Sequence, residues 1–166
     1  MVSGNEILDA LKTIPWFLEL KPTQLKKLAG VCKIIALDAG QYPFKEGDRE
    51  DYVYVILEGQ IDICMRVPNR GDQCIYTAEP LDVVGWSSLT PMVRQRTTST
   101  VARQPARLLA LDGEGLRQLC DEDHDLGYII MRRIANVVAS RLLTIRLHLL
   151  ETIVQRDASR PPTTLE

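Results

Sequence analysis

The chain has 166 residues, 45% of them apolar, with 20 basic and 22 acidic side chains that leave a net charge of −2. That is enough for one well-cored domain plus an extra element, and too apolar for wholesale disorder. The near-neutral, interspersed charge argues against a protein built mainly to hold nucleic acid, and leaves open a small anionic ligand that needs only one or two placed cations. No stretch has the apolar length to span a bilayer, and the first residues, MVSGNEILDALK, lack the basic start and apolar run of a signal peptide. The four cysteines, Cys32, Cys64, Cys74 and Cys120, form no C-x-x-C pair. They read as free thiols in a reducing, cytoplasmic setting.

The first elements are helical. Ile7, Leu8 and Leu11 have helical spacing within Glu6–Thr13, which stops before Pro15. Trp16 and Phe17 follow as an apolar anchor. Pro22 suits a first-turn position, and Leu25, Leu28 and Ala29 make the buried stripe of a second short helix to Val31. The pattern then changes. Short runs rich in β-formers, at 34–37, 42–44, 52–57, 60–67, 74–77, 82–84, 98–102 and 107–111, are broken by turn residues, most often glycine. Eight short strands at such close intervals predict an antiparallel sandwich or barrel. Asp112 is placed to cap a helix through Leu116 and Leu119. One long helical pattern without proline runs from about Asp125 to Val154. Met131, Ala135, Val138, Leu142, Ile145, Leu149 and Ile153 form one apolar face, and Ala139, Leu143, Leu147, Leu150 and Val154 a second. We take residues 1–156 as one domain and 157–166 as a polar tail, whose final Leu165-Glu166 is read as a cloning remnant.

The most informative stretch is Val83–Val101, VVGWSSLTPMVRQRTTSTV. Gly85 precedes the Ser-rich segment to Leu89, Arg96 follows, and then the hydroxyl run Thr97-Thr98-Ser99-Thr100. Glycine lets backbone N–H groups approach an anion closely, arginine offers a fixed fork of donors, and threonine hydroxyls can donate to the same oxygens. A surface loop running into a Thr-rich strand is the plainer alternative.

With its helix–β–helix order and Asp48…Tyr54-Val55-Ile56-Leu57-Glu58-Gly59-Gln60-Ile61, the chain resembles the cyclic nucleotide-binding domain family from about Ile14 to Ile153. Gly40, Gly47, Gly59, Gly71 and Gly85 fall where that family has turn glycines. The resemblance implies an eight-stranded antiparallel jelly-roll barrel, mainly β with flanking helices, and a long C-terminal dimerisation helix. It also implies a phosphate-binding cassette. Gly85 matches the cassette's glycine, Ser87-Ser88-Leu89 its short helix, Arg96 its phosphate-pairing arginine, and Thr97 and Thr98 the small positions after it. The family's next residue after the glycine is a Glu that accepts from the ribose 2′-hydroxyl, whereas this chain has Trp86, and an indole only donates. The phosphate half of the cassette is thus kept and the ribose half is not. Trp86 either stacks on a base or sugar in a modified pocket or plugs a vacated one. Arg94 is a second candidate cation, set against a solvated loop charge.

Other constellations are weaker. Cys120, Asp123 and His124 cluster at helical spacing, but no other ligand group has matching spacing, so no metal is expected. Both histidines, His124 and His148, are far in sequence from Gly85, and no nucleophile–base pair is visible, so no catalysis is expected. Arg132, Arg133, Arg141 and Arg146 read as a solvated helix face. Only a short polar stretch follows Val154, too short for a helix-turn-helix, so direct DNA binding is not expected. The long helix, roughly 45 Å at about 1.5 Å per residue, has more apolar face than one small barrel can cover. A second copy of the same helix is its expected partner. The combined reading is a non-catalytic, homodimeric sensor for cyclic AMP, cyclic GMP or a related phosphate ligand. The alternative is a dimerisation or protein-interaction module whose ligand site has degenerated.

Overall fold

A computed structural model describes residues 4–49, 51–90 and 95–158. The chain divides into two compact units, the second beginning at Met131. The first opens with α1 (Gly4–Thr13), a single 3₁₀ turn at Pro15–Phe17, and α2 (Pro22–Ala29). Pro22 sits in the first turn of α2, where its missing N–H costs nothing, and the Lys21 amide donates to Gln24 Oε1 at 2.9 Å.

Seven strands follow among the described residues: β1 (Cys32–Leu37), β2 (Tyr52–Glu58), β3 (Ile61–Val67), β4 (Gly71–Ala78), β5 (Val83–Val84), β6 (Ser99–Ala102) and β7 (Ala106–Asp112). They form two antiparallel sheets, ordered β1-β7-β2-β5 and β4-β3-β6. The expected closed barrel is corrected, and seven of the eight expected strands are present among the described residues. The two sheets are not joined into a barrel, and the run 42–44 contributes only one isolated bridge, Phe44 to Thr100. Pro43 has no N–H to give a ladder, which explains why no strand grows there.

Alternation along the strands sends Tyr54 and Ile56 of β2, Leu108 and Ala110 of β7, Ile61 of β3 and Ala102 of β6 into one core with Phe44 and Val84. The intervening residues Val53, Val55, Leu109 and Leu111 are also buried. α1 and α2 pack on β1, and α3 (Gly113–Glu122) packs on β7, with Leu11, Leu28 and Leu116 fully buried. β2 and β7 are therefore covered on both faces, which is why they read as nearly continuous apolar runs. As expected, Asp112 caps α3, its Oδ2 accepting from the Gly115 amide at 2.8 Å.

Two of the four cysteines depart from the free-thiol expectation. Cys64 on β3 and Cys74 on β4 are direct cross-strand partners and form a disulfide, with sulfurs 2.02 Å apart. Cys32 and Cys120 are free, and burial pushes their thiols up to about 12 and about 11.

α4 (His124–Ala158) carries the chain into the second unit. Beyond Met131 it exposes an apolar series: Leu142 and Leu149 are 56% and 58% exposed, and Leu143, Ile145, Leu147, Leu150, Ile153 and Val154 are exposed as well. No described helix is long and apolar enough to cross a membrane.

Candidate functional site

The cassette lies where β5 ends. Gly85 takes a left-handed φ of 74° and turns the chain into a 3₁₀ turn, Trp86–Leu89. A Cβ at this position would sit 2.7 Å from the Tyr52 carbonyl oxygen and 3.2 and 3.3 Å from the two terminal nitrogens of Arg96. Both the backbone angle and the space therefore require glycine. Ser88 closes the turn with its amide on the Gly85 carbonyl at 3.1 Å.

Arg96 is the centre of this arrangement. It is only 4% exposed. Nη1 donates to the Gly85 carbonyl at 2.9 Å and to Ser87 Oγ at 3.1 Å, and Nη2 donates to the Tyr52 carbonyl at 2.6 Å. The guanidinium lies 4.3 Å over the Phe44 ring. Its own peptide is clamped as well: the Gly47 amide donates to the Arg96 carbonyl and the Arg96 amide to the Asp48 carbonyl, at 2.8 and 3.0 Å. The rigid fork of arginine is suited to bridging acceptors on two elements, which a lysine ammonium cannot do with the same geometry. Here it ties the start of β2 to the Gly85 turn.

The remaining expected site residues surround it. Trp86, Ser87 and Ser88 are half-buried and Leu89 is buried. Ser88 Oγ donates to the Tyr52 carbonyl at 3.2 Å. Thr97 is exposed, Thr98 half-buried, and Thr100 is buried with its hydroxyl on the Phe44 carbonyl at 3.3 Å. Arg94 lies outside the described residues.

A second arginine, not anticipated from the sequence, backs the turn. Arg117 of α3 donates to the Ser88 carbonyl at 2.6 Å, to both carboxylate oxygens of Asp51 at 3.1 and 2.6 Å, and to Glu114 at 2.7 Å. Its hydrogen bonds hold the Asp51 and Glu114 carboxyls below their ordinary values, and the Arg96 charge adds to the effect on Asp51. Asp51 stands next to Tyr52 in sequence, and Arg117 follows Glu114 by one helical turn. Those spacings could have marked an ion-pair cluster, but nothing in them points to the Ser88 carbonyl.

The Cys120, Asp123, His124 cluster resolves differently. Asp123 accepts from Gln24 Nε2 at 3.1 and 3.0 Å and from the Leu126 amide at 3.0 Å, so its carboxylate joins α2 to the start of α4.

The family model for the cyclic nucleotide-binding domain matches residues 34–123, the stretch that holds nearly all of both sheets and the cassette. The chain belongs to the cyclic nucleotide-binding domain family. It is similar to a CRP-like cAMP-activated global transcriptional regulator of Mycobacterium tuberculosis, with 23% identity over 119 residues, 72% of this chain and 53% of the relative. The chain thus spans about half the length of that relative. Among solved structures it is similar to a cyclic nucleotide-binding domain from Methylobacillus flagellatus, with a TM-score of 0.75 and 24% identity over 90% of this chain and 83% of the other. It is also similar to the N-terminal domain of a transcriptional regulator from Streptomyces coelicolor, with a TM-score of 0.63 and 26% identity over 82% and 94% of the two chains.

Proposed function

We propose that this chain is a non-catalytic, cytoplasmic regulatory module whose cassette takes a cyclic nucleotide or a related phosphate ligand. In this reading the long C-terminal helix reports occupancy and pairs with a second copy, so that residues 1–156 work as one domain. One observation supports the proposal: the Arg96 guanidinium lies against the Gly85–Ser87 turn, so the two parts of the cassette that the sequence separates by ten residues meet in space. The mycobacterial relative's activation by cAMP supports the ligand class.

Binding would follow a competition. A phosphate entering at the Gly85 turn would draw Arg96 donors away from the Tyr52 and Gly85 carbonyls, exchanging neutral acceptors for an anionic one, which makes stronger hydrogen bonds. Trp86 supplies no acceptor, so the ligand's sugar hydroxyl would be held less tightly than by a carboxylate.

A second reading rests on a specific observation. With Arg96 donors on three internal acceptors and an indole at position 86, the same residues could serve only to brace the fold of a dimerisation or partner-docking module. Calorimetry with cyclic AMP and cyclic GMP separates the two. Under the sensor reading the parent binds, and Arg96→Lys weakens binding by roughly tenfold or more, as expected for loss of a charge-assisted fork. Trp86→Glu strengthens binding by restoring the missing acceptor. If parent and Trp86→Glu, both folded, give no heat at millimolar nucleotide, the bracing reading replaces the sensor.

A further inference from the structure

The Cys64–Cys74 bridge sits where it can act on the Arg96 loop. Among the described residues β4 is an edge strand, paired with β3 alone, and β3 in turn carries β6 on its other side. Cys64 has two cross-strand partners, Cys74 on β4 and Ser99 on β6. The β3–β4 register shifts between Ile63 and Cys64, passing over Ile75, so the bridge stands at the base of the outer hairpin that turns at residues 68–70. From there a short series of bonds leads to the cassette. The Arg66 amide donates to Glu46 Oε2 at 3.1 Å, and the Glu46 amide donates to Ser99 Oγ at 2.9 Å. Gly47 and Asp48, the next two residues, hold the Arg96 peptide from both sides.

We infer that the Cys64–Cys74 disulfide is a redox-responsive staple whose reduction loosens the 45–48 turn and, with it, the placement of Arg96. Cys74 is exposed and Cys64 only 5% exposed, so an external thiol meets the Cys74 sulfur first. In the exchange, one thiolate of an external dithiol attacks Cys74 Sγ. The Cys64–Cys74 bond breaks, a mixed disulfide forms on Cys74, and Cys64 leaves as a thiolate that takes up a proton. The reagent's second thiolate then attacks its own sulfur in the mixed disulfide, closing the reagent's ring and releasing Cys74 as a thiol after protonation. Two electrons and two protons pass from dithiol to cystine. Cys32 and Cys120, kept protonated by burial, do not compete as nucleophiles. In a reducing compartment a disulfide accompanied by free thiols is of the transient, sensing kind rather than the structural kind. Once reduced, the outer hairpin keeps only two-stranded pairing, which is marginal by itself.

The test uses the full chain, without nucleotide, before and after treatment with dithiothreitol. Alkylation of the denatured protein should count two free thiols before and four after. Amide hydrogen exchange should then accelerate by about tenfold or more at Gly47 and Arg96, as well as within 64–74, because each amide reports its local opening. Cys74→Ser should show the same faster pattern and be indifferent to dithiothreitol. If Cys74→Ser does not fold, reduction of the parent decides alone. Four free thiols in the air-oxidised protein, or acceleration confined to 64–74, would overturn the inference. Neither readout needs a ligand, so this inference and the cyclic nucleotide reading fail separately.

Discussion

Gly85→Ala tests the architecture of the cassette most simply. The residue holds φ at 74°, and placing an L side chain there costs about 1–2 kcal/mol in backbone strain alone. The added Cβ would also stand 2.7 Å from the Tyr52 carbonyl oxygen, an atom that cannot swing away as a flexible side chain does. Moving it breaks or lengthens the 2.6 Å bond from Arg96, a charge-assisted contact with a net value of about 1.5–3 kcal/mol. Together these predict a loss of about 2.5–5 kcal/mol, which lowers the melting temperature by very roughly 5–15 °C for a chain of this size. Gly71→Ala is the matched control. Its φ is 73°, but a Cβ there meets nothing within 4 Å, so only the backbone part of the cost should appear. Urea denaturation followed by circular dichroism, with equal m-values, measures both. If Gly85→Ala costs no more than Gly71→Ala, the close packing of Arg96 and the Tyr52 carbonyl against the turn is wrong.

Three further outcomes are expected. Asp51 and Glu114 have native values held below 3.8 and 4.5, so the unfolded chain takes up protons more readily than the native one. Stability is then fully present above those values and lost as the pH falls through the lower native ones, and Arg117→Gln should flatten this acid-side slope in urea titrations. Asp112→Ala removes the acceptor for the Gly115 amide and should cost about 1 kcal/mol by the same denaturation assay, without altering nucleotide binding. Light scattering at micromolar concentration should give twice the chain mass. Leu142→Glu with Leu149→Glu should reduce it to the monomer, because buried unpaired carboxylates would oppose pairing.

Much of this structure was legible in the residues because local chemistry decided it. The helical spacing of Ile7, Leu8 and Leu11, the Asp112 cap and the strand runs at 52–57 and 107–111 depend on near neighbours, and all recur in the fold. Gly40, Gly47, Gly59, Gly71 and Gly85 each adopt positive φ, as turn glycines should. What was hidden depended on register or on distant partners. A separation of ten residues does not place Cys64 against Cys74; a one-residue register shift in β4 does. The Gly85-to-Arg96 spacing marks a cassette, but it does not reveal that the guanidinium reaches the Tyr52 carbonyl, because Tyr52 comes from another strand. Arg117 is hidden for the same reason: its acceptors Asp51 and Ser88 lie 66 and 29 residues away.

The most direct measurement is a crystal structure of the chain grown with millimolar cyclic AMP. The account predicts one nucleotide per chain with its phosphate at the Gly85–Ser88 turn. The Arg96 guanidinium should have moved from the Tyr52 carbonyl onto the phosphate oxygens, with Trp86 beside the base or sugar. A cassette holding no nucleotide, with Arg96 still bonded to Tyr52, Gly85 and Ser87, would contradict it.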